Sequence, residues 1–340
     1  MSTLRRRLVR ACAIALCTVW AHAAAAEQSH LVIVVGLGGE PKYTEAFHEL
    51  AVTMIQSAEK KMGVPAANIT YLGEKAAQPA VPVYRGRASR EAVQKALGAI
   101  AQSADPGDLV FILLIGHGGS QAGESRFNLP GPDMTAADFA PLLDALSRQQ
   151  VVFVNTASAS GDFVKALSAK GRTIVTATKS AMERNQTEFP SYFVQAFSEE
   201  GADADKDQRV SVLEAFTYAR REVERFYEKG HLLVTEHAVL DDNGDGTGSA
   251  TPDPATGDGA TARRVFLGGG ETGAEVASAA SADPRVAELR RQRRAIEEKI
   301  GALKARKEAM ESAQYEDELE KLLVELARSE AALRQKEGGR

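Results

Sequence analysis

Two polar side chains suited to chemistry follow two apolar stretches of the sequence. His117 comes after the apolar stretch 109–115, and Ser158 comes after the apolar stretch 151–154. Apolar stretches rich in β-branched residues and bounded by glycine or small polar residues are typical of buried parallel strands. The carboxyl ends of such strands carry the sites of α/β folds, so we expect an imidazole and a hydroxyl at one edge of a sheet. These are the side chains of acid–base and nucleophilic chemistry.

A second set of polar residues follows the pattern of a calcium-binding EF-hand loop. The predicted ligands are Asp203, Asp205, Asp207, the backbone carbonyl of Arg209, Ser211 and the bidentate Glu214. Gln208 replaces the glycine of the sharp turn, where φ > 0 costs another residue about 1 kcal/mol or more. Ser211 and Glu214 also form a capping box, which needs no metal. Three alternating aspartates exceed what a helix cap requires, so we predict calcium as a cofactor and no organic cofactor.

A shorter acidic segment, Asp241–Gly246, repeats the first half of such a loop. The position of its closing ligand is occupied by Pro252, which offers no side-chain oxygen. A turn-forming cluster of Asp, Asn and Gly is therefore the preferred interpretation, with a partial or shared calcium site as the alternative.

The elements that must position these residues alternate between strand and helix. The predicted strands are 30–35, 69–72, 109–115, 151–154 and 173–178, and the predicted helices are 43–62, 89–100, 136–146 and 161–167. Strands alternating with helices at this spacing predict an α/β fold with a mainly parallel sheet and helices on both faces. Val265–Leu267 is predicted as a possible edge strand.

Several motifs occur in an order that resembles the legumain/caspase-like group (clan CD) of cysteine peptidases. These are Val83–Gly86 with the helix after Ser89, Gly116–Gly118, the elbow Val151–Gly161, and Val175–Thr178 with the loop after it. The resemblance implies a caspase/legumain-like three-layer α-β-α sandwich. It implies His117 as general base, Ser158 at the nucleophile position and Gly118 as a backbone donor to an oxyanion. Ser180, Glu183 and Arg184 would line the substrate pocket.

The expected nucleophile is absent from the motif. The elbow of this group reads Ala-Cys-x-Ser-Gly, whereas this chain has Ala157–Gly161 with Ser158 in place of the cysteine, and its two cysteines are Cys12 and Cys17. A thiol with a pKa near 8.5 is easily drawn into the thiolate form, but a serine hydroxyl needs a base and an orienting group for that base. We therefore predict a peptidase homologue with a lost or altered activity, serving as a calcium-stabilised module that binds a peptide or protein. An active serine hydrolase using Ser158 and His117 is the first alternative, and a structural coiled-coil interaction protein is the second.

The amino-terminal segment predicts export. Four arginines within the first ten residues, a short apolar core and small residues before position 27 are typical of a cleaved signal peptide spanning 1–26. We expect a secreted protein, in a periplasm, with no thiol after cleavage. Residues 27–282 carry 23 basic and 33 acidic side chains, which disfavours nucleic acid as a partner. No later stretch is apolar enough to predict a membrane span.

The carboxyl-terminal part predicts a separate helical element. The α/β domain is assigned to 27–247, a Gly/Ala/Pro-rich loop and linker to 248–284, and an α-helical hairpin (coiled coil) to 285–337. Apolar residues at heptad spacing change register after Met310, and residues 285–310 carry nine basic and four acidic side chains against four and eight in 311–337. Antiparallel arms would pair these opposite charges. One long helix with a stutter is the alternative. We expect self-association or a protein partner through 285–337.

Overall fold

The computed structural model describes residues 28–75, 81–121, 123–268 and 310–337, together with scattered positions between 289 and 303. The strands are β1 Ser29–Val35, β2 Ile69–Gly73, β3 Tyr84–Arg87, β4 Leu109–Ile115, β5 Gly118–Gln121, β6 Glu124–Phe127, β7 Met134–Thr135, β8 Gln150–Asn155, β9 Arg172–Thr176 and β10 Val239–Asp241. The helices are α1 Pro41–Lys60, α2 Arg90–Ser103, α3 Ala136–Asp144, α4 Asp162–Leu167, α5 Phe189–Ser198, α6 Val212–Lys229 and α7 Ser312–Glu337. The predicted signal peptide 1–26 lies outside the described residues.

Seven of the strands form one sheet in the order β10-β9-β8-β4-β1-β2-β3. Every neighbouring pair is parallel except β10 with β9. All seven residues of β4 are buried, because this strand lies at the centre and both of its faces are covered. The predicted mainly parallel sheet is confirmed.

Helices cover both faces of this sheet. On one face α1, α5 and α6 supply apolar side chains such as Met54, Phe193 and Phe216. On the other face α2, α3 and α4 supply side chains such as Phe139 and Phe163. The predicted three-layer α-β-α sandwich is therefore confirmed, and its parallel strands deliver their carboxyl ends to one edge.

A small antiparallel sheet of β5, β6 and β7 was not predicted from the sequence. It begins immediately after His117, and Gly118 pairs with Phe127. Glycine and polar residues in this segment give no clear strand pattern, although Phe127 at the end of β6 is fully buried. This sheet places the histidine loop beside the end of β8.

The α/β domain continues beyond the predicted boundary at residue 247. Segment 248–262, assigned from the sequence to the loop and linker, packs onto the domain because the buried Asp242 carboxylate accepts hydrogen bonds from the backbone of Gly259, Thr261 and Ala262. These hydrogen bonds satisfy backbone N–H groups that have no partner in a β-sheet.

The predicted edge strand Val265–Leu267 is wrong. Only an isolated antiparallel bridge between Phe266 and Ser211 is present, and the sheet edge is formed by β10 instead. A short 3-10 turn at Ala262–Arg264 and the positive φ of Gly268 direct this segment against the start of α6. Val265 and Leu267 are buried there.

The carboxyl-terminal helix α7 begins after a bend at Met310. The Ser329 hydroxyl donates to the Leu289 carbonyl at 3.3 Å, and Ile300, Leu303 and Leu333 are buried. A straight helix would separate residues 289 and 329 by about 60 Å, so this contact requires the chain to fold back. The fold-back agrees with two antiparallel arms, although most of the first arm and residues 269–288 lie outside the described residues. Among the described residues, no helix combines the length and the apolar character that a membrane span requires.

Candidate functional site

The register of the sheet brings the two polar strand ends together. β4 and β8 are parallel neighbours, and Leu114 pairs with Asn155. His117 and Ser158 follow these two positions at the same edge of the sheet. The predicted juxtaposition of the histidine loop and the serine elbow is therefore present, and the two loops touch through Gly118.

Ser158 and Gly118 form a reciprocal hydrogen-bonded pair. The Ser158 hydroxyl donates to the Gly118 carbonyl at 2.9 Å and accepts from the Gly118 N–H at 3.3 Å. Ser158 is only 4% exposed. A side-chain carbon on Gly118 would lie 2.2 Å from the Ser158 carbonyl oxygen, so this close approach requires glycine. The Ser158 hydroxyl hydrogen is thus bound by the Gly118 carbonyl, and the Gly118 N–H is bound by the Ser158 hydroxyl oxygen.

His117 lies in an aromatic environment. Its ring packs edge-on against Tyr43, with centroids 4.8 Å apart, and against Phe47 at 5.1 Å. Burial lowers the pKa of His117 below its ordinary value of 6.5, although a hydrogen bond to the Gly38 backbone and the charges of Glu40 and Glu74 oppose that change. The imidazole is therefore held in its neutral form near neutral pH.

The Gly38 backbone lies beside the His117 ring and favours its charged form. The Gly38 N–H donates to a Glu74 carboxylate oxygen at 3.2 Å. Among the hydrogen bonds of the described residues, none joins His117 to Ser158 or to a carboxylate. The arrangement positions a neutral imidazole but does not assemble a hydrogen-bonded Ser-His-acid triad.

The elbow after β8 is rigid and strained. Ala159 has φ = 53°, a conformation uncommon for a non-glycine residue, and its N–H donates to the Glu183 carbonyl at 2.7 Å. The Thr178 hydroxyl oxygen accepts from the backbone of Ser160 and Gly161, at 2.7 and 3.1 Å. These contacts hold the three residues that follow Ser158.

The predicted pocket residues lie in the loop that supports this elbow. The Ser180 hydroxyl accepts from the Met182 N–H, and Arg184 donates to the Ala181 carbonyl, so both bind within their own loop. The Glu183 carboxylate accepts the His237 N–H at 3.1 Å and contacts His237 Nδ1 at 2.5 Å. The Glu183 carbonyl and the Ser180 backbone lie against the elbow, and the hydrogen bonds of all three residues shape the loop.

Glu236 is a site-supporting residue whose role the sequence did not reveal. Its buried carboxylate accepts from the backbone of Glu188 and Phe189 at the start of α5 and from the Tyr227 hydroxyl. Burial raises the pKa of Glu236 to about 7. Together with His237 it joins segment 231–237 to the pocket loop. A Glu-His pair in a loop matches no sequence motif that predicts these contacts.

The predicted calcium loop brings three of its six ligands together. Carboxylate oxygens of Asp203, Asp205 and Glu214 lie within 4.8 Å of one another, which matches ligands placed about 2.4 Å from a shared cation. Burial and the neighbouring aspartates raise the pKa of Asp205, and burial raises that of Glu214. Gln208 adopts φ = 70°, the conformation that the sharp turn demands.

Two of the other predicted ligands, Asp207 and Ser211, bind other groups of the protein. Asp207 forms an ion pair with Arg209 at 2.9 Å, and Ser211 forms the capping box with Glu214 at the start of α6. The structure is therefore compatible with both a calcium loop and a helix cap, because a capped helix follows a cluster of carboxylates. In the second acidic segment, Asp241 accepts from the backbone of Gly244 and Gly246, as a turn-forming cluster does.

Comparison with known proteins covers most of this domain. The sequence model of the Peptidase C13 family matches residues 46–238, which include the histidine loop, the elbow and the pocket loop. A search of curated proteins finds no match. Among solved structures, the chain is similar to caspase-1 from Spodoptera frugiperda, with 8% identity, coverage of 64% of this chain and 88% of that chain, and a TM-score of 0.37.

The buried histidine makes a prediction about acid stability. In the unfolded chain His117 takes up a proton near pH 6.5, whereas the folded protein takes it up only at lower pH. Stability contributed by this group is therefore present above pH 6.5 and is lost as the pH falls toward the folded pKa. We expect the His117 ring signal in NMR to titrate below 6.5. The variant His117→Phe should lose less stability than the wild type between pH 7 and 5, and titration at or above 6.5 would contradict the assigned environment.

Proposed function

The chain belongs to the peptidase C13 family, and on this premise we propose that it is an exported, non-hydrolysing homologue that binds a peptide or protein segment. The predicted signal peptide supports export. The substitution at the elbow supports the loss of hydrolysis. Calcium bound by the loop that begins at Asp203 would stabilise the domain.

The observation that carries the proposal is the reciprocal pair of Ser158 and Gly118. A nucleophilic serine must give its proton to a base, but the Ser158 hydroxyl donates to the Gly118 carbonyl. A backbone donor to an oxyanion must point at the reacting carbonyl, but the Gly118 N–H is directed at Ser158 Oγ. Ser158 and Gly118 thus bind each other and not a substrate, which favours a protein that does not hydrolyse peptides.

Exposed apolar side chains on both sides of the elbow support peptide binding. Leu37 is 40% exposed in the loop whose Gly38 backbone lies beside His117. Met182 is 76% exposed in the loop whose Glu183 holds the elbow. Methionine and leucine placed around a rigid backbone are suited to apolar side chains of an extended peptide.

The strained turn after Ser158 and the neutral His117 favour a serine hydrolase as the second candidate. Ala159 keeps the positive φ of a strained turn directly after Ser158, and such strain is common at functional sites. His117 is also held neutral, as a general base must be. Rotation of the Ser158 hydroxyl away from Gly118 would be needed before His117 could take its proton.

Binding without cleavage can be tested with a mixed peptide library. We expect immobilised protein to retain peptides that contain apolar residues and to release them with unchanged masses in mass spectrometry. Burial of a methionine contributes about 1.5–3 kcal/mol, so Met182→Asp should weaken retention about tenfold or more, whereas Met182→Leu should preserve it. Fragments that disappear in Ser158→Ala would favour the hydrolase, and an absence of retention would refute the binding role.

Calcium binding can be tested through thermal stability. A cation that binds only the folded state at one hundred times its Kd stabilises by about 2.7 kcal/mol, so a chelator should lower the melting midpoint. Asp205→Asn keeps the oxygen that accepts the Asp207 N–H but removes the charge, and should abolish the effect of the chelator.

The matched control is Asp253→Asn, which keeps the oxygen that accepts the Ala255 N–H and removes an exposed charge outside both acidic segments and the three-carboxylate cluster. This variant should respond to the chelator as the wild type does. Equal midpoints for the wild type with calcium and with chelator would contradict the calcium assignment.

A further inference from the structure

Helix α7 carries two apolar faces. The face that includes Ser329 and Leu333 is buried, and Ser329 contacts Leu289 of the same chain. A second face exposes Leu323 by 48% and Val324 by 43%. An open groove of about 350 Å³ on this face is lined by Glu316, Leu319, Glu320, Leu323, Val324 and Ala327. A helix that packs against a single neighbour needs only one apolar face, so the second apolar face of α7 indicates a further partner.

The charges of the groove restrict the partner. The charged residues that line it are Glu316 and Glu320, both acidic. A matching surface must offer apolar side chains flanked by lysine or arginine. Residues 285–310 of this chain have that composition, with nine basic and four acidic side chains and apolar residues at heptad spacing.

Leu289 of the chain's own basic segment, residues 285–310, already contacts α7 on the other face. Residues 323 and 329 are six positions apart, which places them about 120° from each other around the helix axis. Leu289 contacts Ser329, whereas Leu323 remains 48% exposed, so the groove is open to a further partner. The basic segment of a second copy can fill it, and the same contact then forms twice about a two-fold axis.

We propose that two copies of this chain associate through their carboxyl-terminal hairpins, with the groove of each α7 receiving residues 285–310 of the other copy. Each acidic α7 then has a basic neighbour on both apolar faces, and the two interfaces are identical. Pairing of the two α7 grooves with each other would instead bring Glu316 and Glu320 of both copies into one contact, where like charges repel.

The oligomeric state of the full chain tests this proposal. We expect a dimer in light scattering coupled to size exclusion, with a dissociation constant that rises with salt because exposed ion pairs are screened. Replacing Leu323 and Val324 by glutamate should weaken the dimer at least tenfold. Far-UV circular dichroism reports whether each variant retains its helix.

Charge reversal distinguishes the proposed partner from its rival. Glu320→Arg should weaken the dimer because it repels the basic segment, whereas pairing of two α7 helices would be strengthened by the same change. Glu325→Arg reverses an exposed charge of the same helix outside the groove and should leave the dimer unchanged. A monomeric wild type, a dimer indifferent to the Leu323 and Val324 changes, or a dimer strengthened by Glu320→Arg would each overturn the proposal.

Discussion

The hydrogen-bonded pair of Ser158 and Gly118 is the contact on which the functional account depends. It forms because β4 and β8 are parallel neighbours whose loops leave the sheet at the same edge, and because glycine permits a separation that any side chain would prevent. The small sheet after His117 and the hydrogen bonds of Thr178 hold the two loops in this contact. A hydroxyl can both donate and accept in this position, so a single serine satisfies two backbone groups at once.

The side chains around Ser158 bear directly on the proposed loss of hydrolysis. His117 remains neutral beside Tyr43 and Phe47, and the elbow keeps its strained residue Ala159. A thiol in place of Ser158 would be a weaker hydrogen-bond donor and a stronger nucleophile than a hydroxyl. In the function that we propose, serine therefore favours a stable pairing with Gly118 over proton transfer to His117. The exposed side chains of Leu37 and Met182 would contact the bound peptide.

The sequence was sufficient for the large buried elements and for the family, and both predictions are confirmed. Continuous apolar stretches such as 109–115 specify central strands, and Ser89 caps α2 with its hydroxyl accepting the Ala92 N–H. Features that depend on single long-range contacts were missed. The loop after residue 247 is held by Asp242, and the pocket loop by His237, which bind backbone or side chains far along the chain. Local composition carries no information about such partners, and the short glycine-rich strands after His117 lack a pattern for the same reason.

Covalent labelling with a fluorophosphonate tests the central claim most directly, since this probe reacts only with a serine that a nearby base activates. The account predicts that intact-mass spectra of the wild type, Ser158→Ala and His117→Ala will be unshifted after incubation, because the Ser158 hydroxyl is committed to Gly118. A stoichiometric mass shift in the wild type that is lost in both variants would contradict it and would identify the protein as an active serine hydrolase.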